Sequence, residues 1–216
     1  MRLKYVDNAR ELIEAHPDLV IDKQDNEKLY YEDMFEKKDS PIHLEIGIGK
    51  GQFIHELAKN NPNINFIGIE KFDSVIVRAL EKVIEEPLTN LKLIRVDAQA
   101  IPIILKDYTV ERIYLNFVDP WPKERHAKRR LTHRGFLDIY KHLLVPNGEV
   151  HLKTDNEFLY NYSLEEMIYN DMEMLYHTED LHNDNYEGNI MTEFEEKFAK
   201  RGMKIFKLTA RFKETK

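Results

Sequence analysis

The chain reads as an α/β protein with a mostly parallel central sheet, an antiparallel C-terminal edge and helices on both faces. Three observations predict this. Apolar stretches of six to eight residues alternate with amphipathic helical stretches between residues 43 and 155. A glycine-rich turn follows the first of those stretches. Acidic residues, Glu70, Asp97, Asp119 and Asp155, stand at or near the ends of four others. Strands that are apolar on both sides suit a parallel sheet covered by helices. Open sheets of this kind bind ligands beyond the carboxyl ends of their strands.

Taken in order, residues 7–16 predict a helix, and the polar residues 17–40 predict a loop with short helices. Strands follow at HLEIGI (43–48), NFIGIE (65–70), LKLIRVD (91–97), RIYLNFVD (112–119) and GEVHLKTD (148–155). Between them, helical spacing is found at 52–60, 75–86 and 133–144, with a short turn near 99–105. Residues 157–170 predict a helix, 172–179 a strand, 193–201 a helix and 203–212 a strand, the last two strands pairing antiparallel at the sheet edge. No repeat, low-complexity tract or Gly/Ser linker divides the chain, so a single domain over 1–216 is expected, with 1–40 as an N-terminal helical and loop extension.

At 216 residues, with 42% apolar and 11% aromatic content, the chain is long enough to bury a core. No run approaches the ~18 apolar residues of a membrane span, and the charged N-terminus lacks the apolar stretch of a secretory signal. A cytoplasmic protein without a membrane role is the expectation. The absence of cysteine excludes disulfides, thiolate metal sites and a cysteine nucleophile. The nine histidines show no metal spacing; His177 and His182 lie among acids without a supporting third ligand, so no metal is expected.

The net charge of −7 is unevenly placed. Residues 123–134 carry +5 and residues 200–216 carry +6, leaving −18 for the remainder. From Asp155 to Glu196 there are thirteen acids and no Lys or Arg. Cations gathered this way can present a basic face to phosphates on an otherwise acidic protein. A charge run can also simply solvate a surface.

The sharpest local pattern is Leu44-Glu45-Ile46-Gly47-Ile48-Gly49-Lys50-Gly51-Gln52-Phe53, which leaves a strand and opens a helix. Glycines there permit a tight turn and close ligand approach, and the helix start faces the ligand with its N–H groups. The dinucleotide fingerprint fails because Gln52 stands at its third glycine, and the P-loop fails because it lacks the earlier glycine and has Gly51 at the hydroxyl position. What remains is E-x-G-x-G-x-G with a carboxylate, Glu70, nineteen residues beyond Gly51. That pattern resembles the cofactor loop of class I methyltransferases, which have a Rossmann-like fold. An acid at Glu70 can accept ribose hydroxyls, and Asp97-Ala98 matches the adenine-recognition position of those enzymes.

The fourth strand runs into Asp119-Pro120-Trp121-Pro122-Lys123 and then Glu124-Arg125-His126-Ala127-Lys128-Arg129-Arg130. With Glu45 to Phe53, Ile69-Glu70, Asp97-Ala98, His151-Leu152-Lys153-Thr154-Asp155 and Thr192-Glu193-Phe194-Glu195, this string resembles the bacterial tRNA (guanine-N7-)-methyltransferases over nearly the whole chain. The resemblance implies S-adenosyl-L-methionine as cofactor, held by Glu45, Gly47, Gly49, Gly51, Glu70, Lys71, Asp97, Ala98 and Asp119. It implies tRNA as substrate, methylated at a guanine N7 in the variable loop, with Asp119 as the key active-site residue. Lys123, Asp155, Thr192, Glu193, Phe194 and Glu195 are implied as substrate-binding. Arg125, His126, Ala127, Lys128, Arg129 and Arg130 are placed along the RNA backbone. Monomer and homodimer both remain open.

The chemistry of these residues is consistent with that assignment. Guanine N7 has a lone pair and no proton, so alignment with an electrophilic methyl supplies much of the catalysis. A carboxylate at Asp119 would either stabilise the positive charge developing on the ring or hold the guanine through N1–H and its amino group. The prolines flanking Trp121 stiffen the segment. Trp121 itself can stack on a base or belong to the core. Thr192 also reads as the N-cap of a helix completed by Glu195, which is compatible with substrate contact. A class I methyltransferase acting on a small molecule or protein is the alternative, and it leaves the basic run after Asp119 without a purpose. A non-catalytic RNA-binding module is a third reading, opposed by the intact cofactor loop.

Overall fold

The computed structural model describes residues 6–22, 34–105, 107 and 109–213. Residues 23–33 of the expected 17–40 loop, and the last three residues of the basic C-terminal run, lie outside the described residues. The chain divides into two compact units, residues 1–106 and 107–216.

In the first unit, α1 (Ala9–Glu14) precedes β1 (Val20–Asp22), β2 (Ile42–Ile46), α2 (Gln52–Asn60), β3 (Asn65–Glu70), α3 (Asp73–Glu85) and β4 (Leu91–Arg95). A 3₁₀ turn (Ala98–Ala100) and the short α4 (Ile101–Ile104) follow. The strands run parallel in the order β1-β4-β3-β2. Every residue of β2 and β3 is buried, as a sheet covered on both faces demands. Phe53, Ile54 and Ala58 of α2, and Ile76, Val77, Ala79, Leu80 and Val83 of α3, recur at helical spacing and form the buried faces. Ile54, Phe66, Ile76, Leu80, Leu91 and Leu93 belong to one core cluster. Burying each such side chain contributes about 1.5–3 kcal/mol. Asn90 closes the α2–β3 turn, its amide nitrogen donating to the carbonyls of Ala58, Asn61 and Ile64 at 2.8–3.1 Å.

In the second unit, β5 (Val110–Asn116) leads through a six-residue 3₁₀ helix (Glu124–Arg129) to α5 (Arg134–Leu143). Then come β6 (Leu144–Thr154), α6 (Glu157–Tyr169), β7 (Met172–Thr178), α7 (Glu193–Ala199) and β8 (Phe206–Phe212). β5 and β6 are parallel, whereas β8 pairs antiparallel with both β6 and β7. The antiparallel C-terminal edge read from the sequence is therefore present. The turn before α5 is joined to α6 through a buried Thr132–Ser163 hydroxyl pair at 2.7 Å. Glu166 accepts from the Arg134 backbone N–H and guanidinium at 3.0 and 2.9 Å.

Three differences from the sequence reading have local causes. Residues 20–22 form a strand rather than part of a loop. Three residues are too few to display a period, and β1 is held by β4 and by Arg95, whose guanidinium grips Asp22 at 2.7 and 2.8 Å while also reaching Asp73 at 2.7 Å. β2 ends at Ile46 rather than residue 48 because Gly47 turns into the left-handed region at φ 78°. β5 likewise ends at Asn116 rather than residue 119, because Phe117 takes φ 51°.

Candidate functional site

The glycine loop of the first unit carries three left-handed residues, Gly47, Gly49 and Gly51, at φ 78°, 58° and 79°. Such angles strain any residue with a Cβ. The turn is drawn back onto β3 by Gly47 and Ile48 N–H groups donating to the Ile69 carbonyl at 2.8 and 3.1 Å. Gly51 caps α2 so closely against α3 that an added Cβ would lie 2.5 Å from the Ala79 Cβ. A Cβ on Gly49 would instead meet nothing within 4 Å, so the loop is open on that side. Glu45, one position before the end of β2, is 2% exposed.

Glu70 closes this turn. Its carboxylate accepts backbone N–H groups from Lys71 at 2.9 Å and Phe72 at 3.2 Å, and Gly49 donates to it as well. Burial pushes its pKa up, opposed by those three donors and the Lys71 ammonium. Asp97 caps the 3₁₀ turn that begins at Ala98, accepting from Gln99 N–H at 3.0 Å. The Lys71 ammonium reaches Asp97 at 3.3 Å. Gly49, Glu70, Lys71, Asp97 and Ala98 are thus brought together at the carboxyl ends of β3 and β4. An open turn beside a backbone-pinned carboxylate and a second, exposed carboxylate suits a ligand with a polar diol and a flat base. The residues fit S-adenosylmethionine on those grounds.

In the second unit, Asp119 is exposed between two non-glycine residues in the left-handed region, Phe117 at φ 51° and Trp121 at φ 42°. Strain of this kind costs of the order of 1–3 kcal/mol per residue and concentrates at functional sites. The Phe117 N–H donates to the Lys153 carbonyl at 2.8 Å, and its ring packs on Phe194 at 5.0 Å. The Asp119 loop is therefore tied to the Thr192–Glu195 segment. Thr192 caps α7, its hydroxyl accepting from Glu195 N–H at 3.0 Å. Asp155, Glu193 and Phe194 are half-buried, and Lys123 is exposed.

The basic run forms the 3₁₀ helix Glu124–Arg129, for which its sequence offers no period. With three residues per turn, side chains at i and i+3 align. His126 and Arg129 accordingly both meet Trp121, with ring centroids 5.6 Å apart for His126 and the Arg129 guanidinium 4.9 Å from the indole. The same spacing puts the exposed Arg125 and Lys128 together on another side. Trp121 is half-buried beneath Arg129 rather than in the core.

Two expected contact residues are placed otherwise. Arg130, assigned to the RNA backbone, is 1% exposed. Its guanidinium donates twice to the Trp121 carbonyl at 3.1 Å and packs against the rings of Tyr162 and Phe158, 4.3 and 4.9 Å from their centroids. It braces the Asp119–Trp121 loop from within and presents no surface to a phosphate. Glu195, implied as substrate-binding, is 0% exposed and forms a buried ion pair with Lys153 at 2.6 Å. Both arrangements depend on partners distant in the chain, Phe158, Tyr162 and Lys153, so inspection of either motif by itself could not find them. Among the described residues no cluster of three or more His, Asp or Glu could hold a metal, and no helix is long and apolar enough to cross a membrane.

Comparison with known proteins covers nearly the whole chain. A family model described as "Putative methyltransferase" matches residues 39–208. A tRNA (guanine-N(7)-)-methyltransferase of Bacillus cytotoxicus is 47% identical over 213 residues, covering 99% of this chain and 98% of the relative. One from Geobacillus sp. strain WCH70 is 48% identical, covering 98% and 96%. Among solved structures, an antibiotic-related methyltransferase aligns with TM-score 0.57 at 18% identity, covering 98% of both chains. A SAM-dependent methyltransferase from Aquifex aeolicus aligns with TM-score 0.56 at 14% identity, covering 96% and 98%. Those structural likenesses establish the Rossmann-like class I methyltransferase fold expected from the sequence. With close relatives matched almost from end to end, the chain belongs to the tRNA (guanine-N(7)-)-methyltransferase family.

Proposed function

We propose that the protein transfers the methyl group of S-adenosylmethionine to N7 of a guanine in the variable loop of tRNA. The observation that carries this reading is the near-complete alignment, at 47–48% identity, with tRNA (guanine-N(7)-)-methyltransferases. When bound, S-adenosylmethionine supplies an electrophilic methyl group on a sulfonium. The turn Gly47–Gly51 offers it bare backbone at its three glycines, and the α2 N-terminus adds a positive dipole. Glu70, pinned by its backbone donors, accepts the ribose hydroxyls. Asp97 and Ala98 face the adenine, and Lys71 holds Asp97 in place. Glu45 underlies the turn as a buried carboxylate.

Guanine N7 needs no base to release its lone pair, so the protein's task is alignment and charge stabilisation. Asp119 is assigned to the guanine, where it can accept N1–H and amino donors and offset the positive charge that develops on the ring. Lys123, Asp155, Thr192, Glu193 and Phe194 complete the guanine-binding set. Arg125, Lys128 and Arg129, with His126, neutralise phosphates of the tRNA backbone. The target guanine must be loosened from its tertiary contacts before methylation.

The test is methyl transfer from labelled S-adenosylmethionine to unmodified tRNA, run beside a panel of small-molecule and protein acceptors. Label in tRNA at a rate well above every other acceptor is expected. Label in a small molecule or protein and none in tRNA would overturn the proposal.

A further inference from the structure

β7 and β8 are antiparallel neighbours, yet residues 179–205 separate them, far more than a hairpin needs. Residues 179–192 of the connection form no helix or strand, a length met mostly in functional loops and linkers. The connection includes α7 and the Thr192–Phe194 segment. A single buried side chain on the neighbouring strand gathers it. The Lys153 ammonium, 3% exposed, donates to Asn189 Oδ1 at 3.1 Å, to the Ile190 carbonyl at 2.7 Å and to Glu195 Oε2 at 2.6 Å. The other Glu195 oxygen accepts from Asn189 at 2.8 Å and contacts His182 Nε2 at 3.0 Å. Burial pushes the Glu195 carboxyl up, but Lys153, Asn189 and His182 together bring it below its ordinary value. Lys153 follows directly in register with β5, where Asn116 pairs with it, and its carbonyl fixes the Phe117 N–H.

We infer that Lys153 is a positioning residue for tRNA binding: its ammonium, acting through Glu195, Asn189 and Ile190, docks the long β7–β8 connection so that Thr192, Glu193 and Phe194 are presented to the guanine. The inference rests on the proposed function for its substrate. It changes the part played by Glu195, which grips Lys153 rather than the base. Removing one partner of a buried pair leaves an uncompensated charge, whereas replacing both by apolar side chains is often tolerated. If docking is what tRNA requires, loss of Lys153 lowers the docked fraction and raises the apparent dissociation constant in proportion.

The experiment compares wild type with Lys153→Met, Glu195→Met and the double variant. It measures melting temperature, S-adenosylmethionine affinity by calorimetry, KM for tRNA, kcat, and amide hydrogen exchange over residues 186–199. Lys153→Met is expected to raise KM for tRNA about tenfold or more, with kcat at saturating tRNA and donor affinity within about threefold of wild type. Its 189–195 amides should exchange faster, and the double variant should regain part of the lost KM. An unchanged KM would overturn the inference. So would kcat, KM and donor affinity declining together with melting temperature, which is the signature of general destabilisation. A double variant no better than Glu195→Met would place Glu195 on the guanine itself and overturn it too. If wild type fails to methylate tRNA, the proposed function falls, and the exchange measurement, made without substrate, still decides whether Lys153 holds the segment.

Discussion

Replacing Arg125 and Lys128 by Gln removes two exposed cations that the 3₁₀ helix Glu124–Arg129 aligns on one side. A protein cation that neutralises a backbone phosphate adds about 0.7–0.9 to the slope of log affinity against log salt. Two such contacts therefore add about 1.4–1.8, and their loss at 0.15 M salt weakens tRNA binding by roughly twentyfold. The assay is tRNA binding by filter retention or fluorescence anisotropy across 50–400 mM potassium chloride. The double variant should show a shallower slope by that amount and an unchanged melting temperature. Arg130→Gln is the internal contrast. Its guanidinium is enclosed by Tyr162, Phe158 and the Trp121 carbonyl, so its loss should lower stability by about 2–4 kcal/mol. In that variant the salt slope should stay as in wild type. An unaltered slope for the Arg125/Lys128 variant, or a slope change for Arg130→Gln matching theirs, would mean that these cations do not contact the tRNA backbone as assigned.

Three further outcomes follow from the geometry. Gly51→Ala combines a left-handed backbone with a Cβ 2.5 Å from that of Ala79, so it should destabilise the protein by about 2–4 kcal/mol and weaken S-adenosylmethionine binding, by thermal unfolding and calorimetry. Asp119→Ala removes an exposed carboxylate that strands no partner among the described residues; it should fold normally and lose nearly all methyl transfer, and wild-type turnover would contradict its assigned role. Burial, only partly offset by the Glu149 contact at 2.6 Å, lowers the His151 pKa from 6.5 to about 4. The unfolded chain therefore takes up a proton near pH 6.5 that the folded chain refuses until about pH 4. Stability from this group is complete above pH 6.5 and declines by up to about 1.4 kcal/mol per pH unit below it, a slope that denaturant melts should find reduced in His151→Asn.

The strands and helices were legible because their signals are local. Phe53, Ile54 and Ala58, or Ile76, Leu80 and Val83, display their buried face in the sequence itself. The Gly47–Gly51 turn and Glu70 were legible for a related reason: a backbone that must turn tightly under a ligand admits few other residues. β1 was not legible, since Val20–Asp22 is a strand through its β4 partner and the Arg95–Asp22 pair rather than through any pattern of its own. The fates of Arg130 and Glu195 were hidden in the same way. Each sits in a motif whose composition signals solvent or substrate, and each is buried by residues more than twenty-five positions away in the chain. A charged side chain in a recognition motif is thus read safely as exposed when nothing elsewhere supplies aromatic contacts or a counter-ion.

Methylation of tRNA at guanine N7 is read out by nucleoside analysis, using liquid chromatography and mass spectrometry, of unmodified tRNA after incubation with the protein and S-adenosylmethionine. The expected product is 7-methylguanosine, mapped by fragment analysis to the variable loop, with none from Asp119→Ala. A methylated nucleoside other than 7-methylguanosine, or tRNA returned without added methyl, would contradict the proposed function.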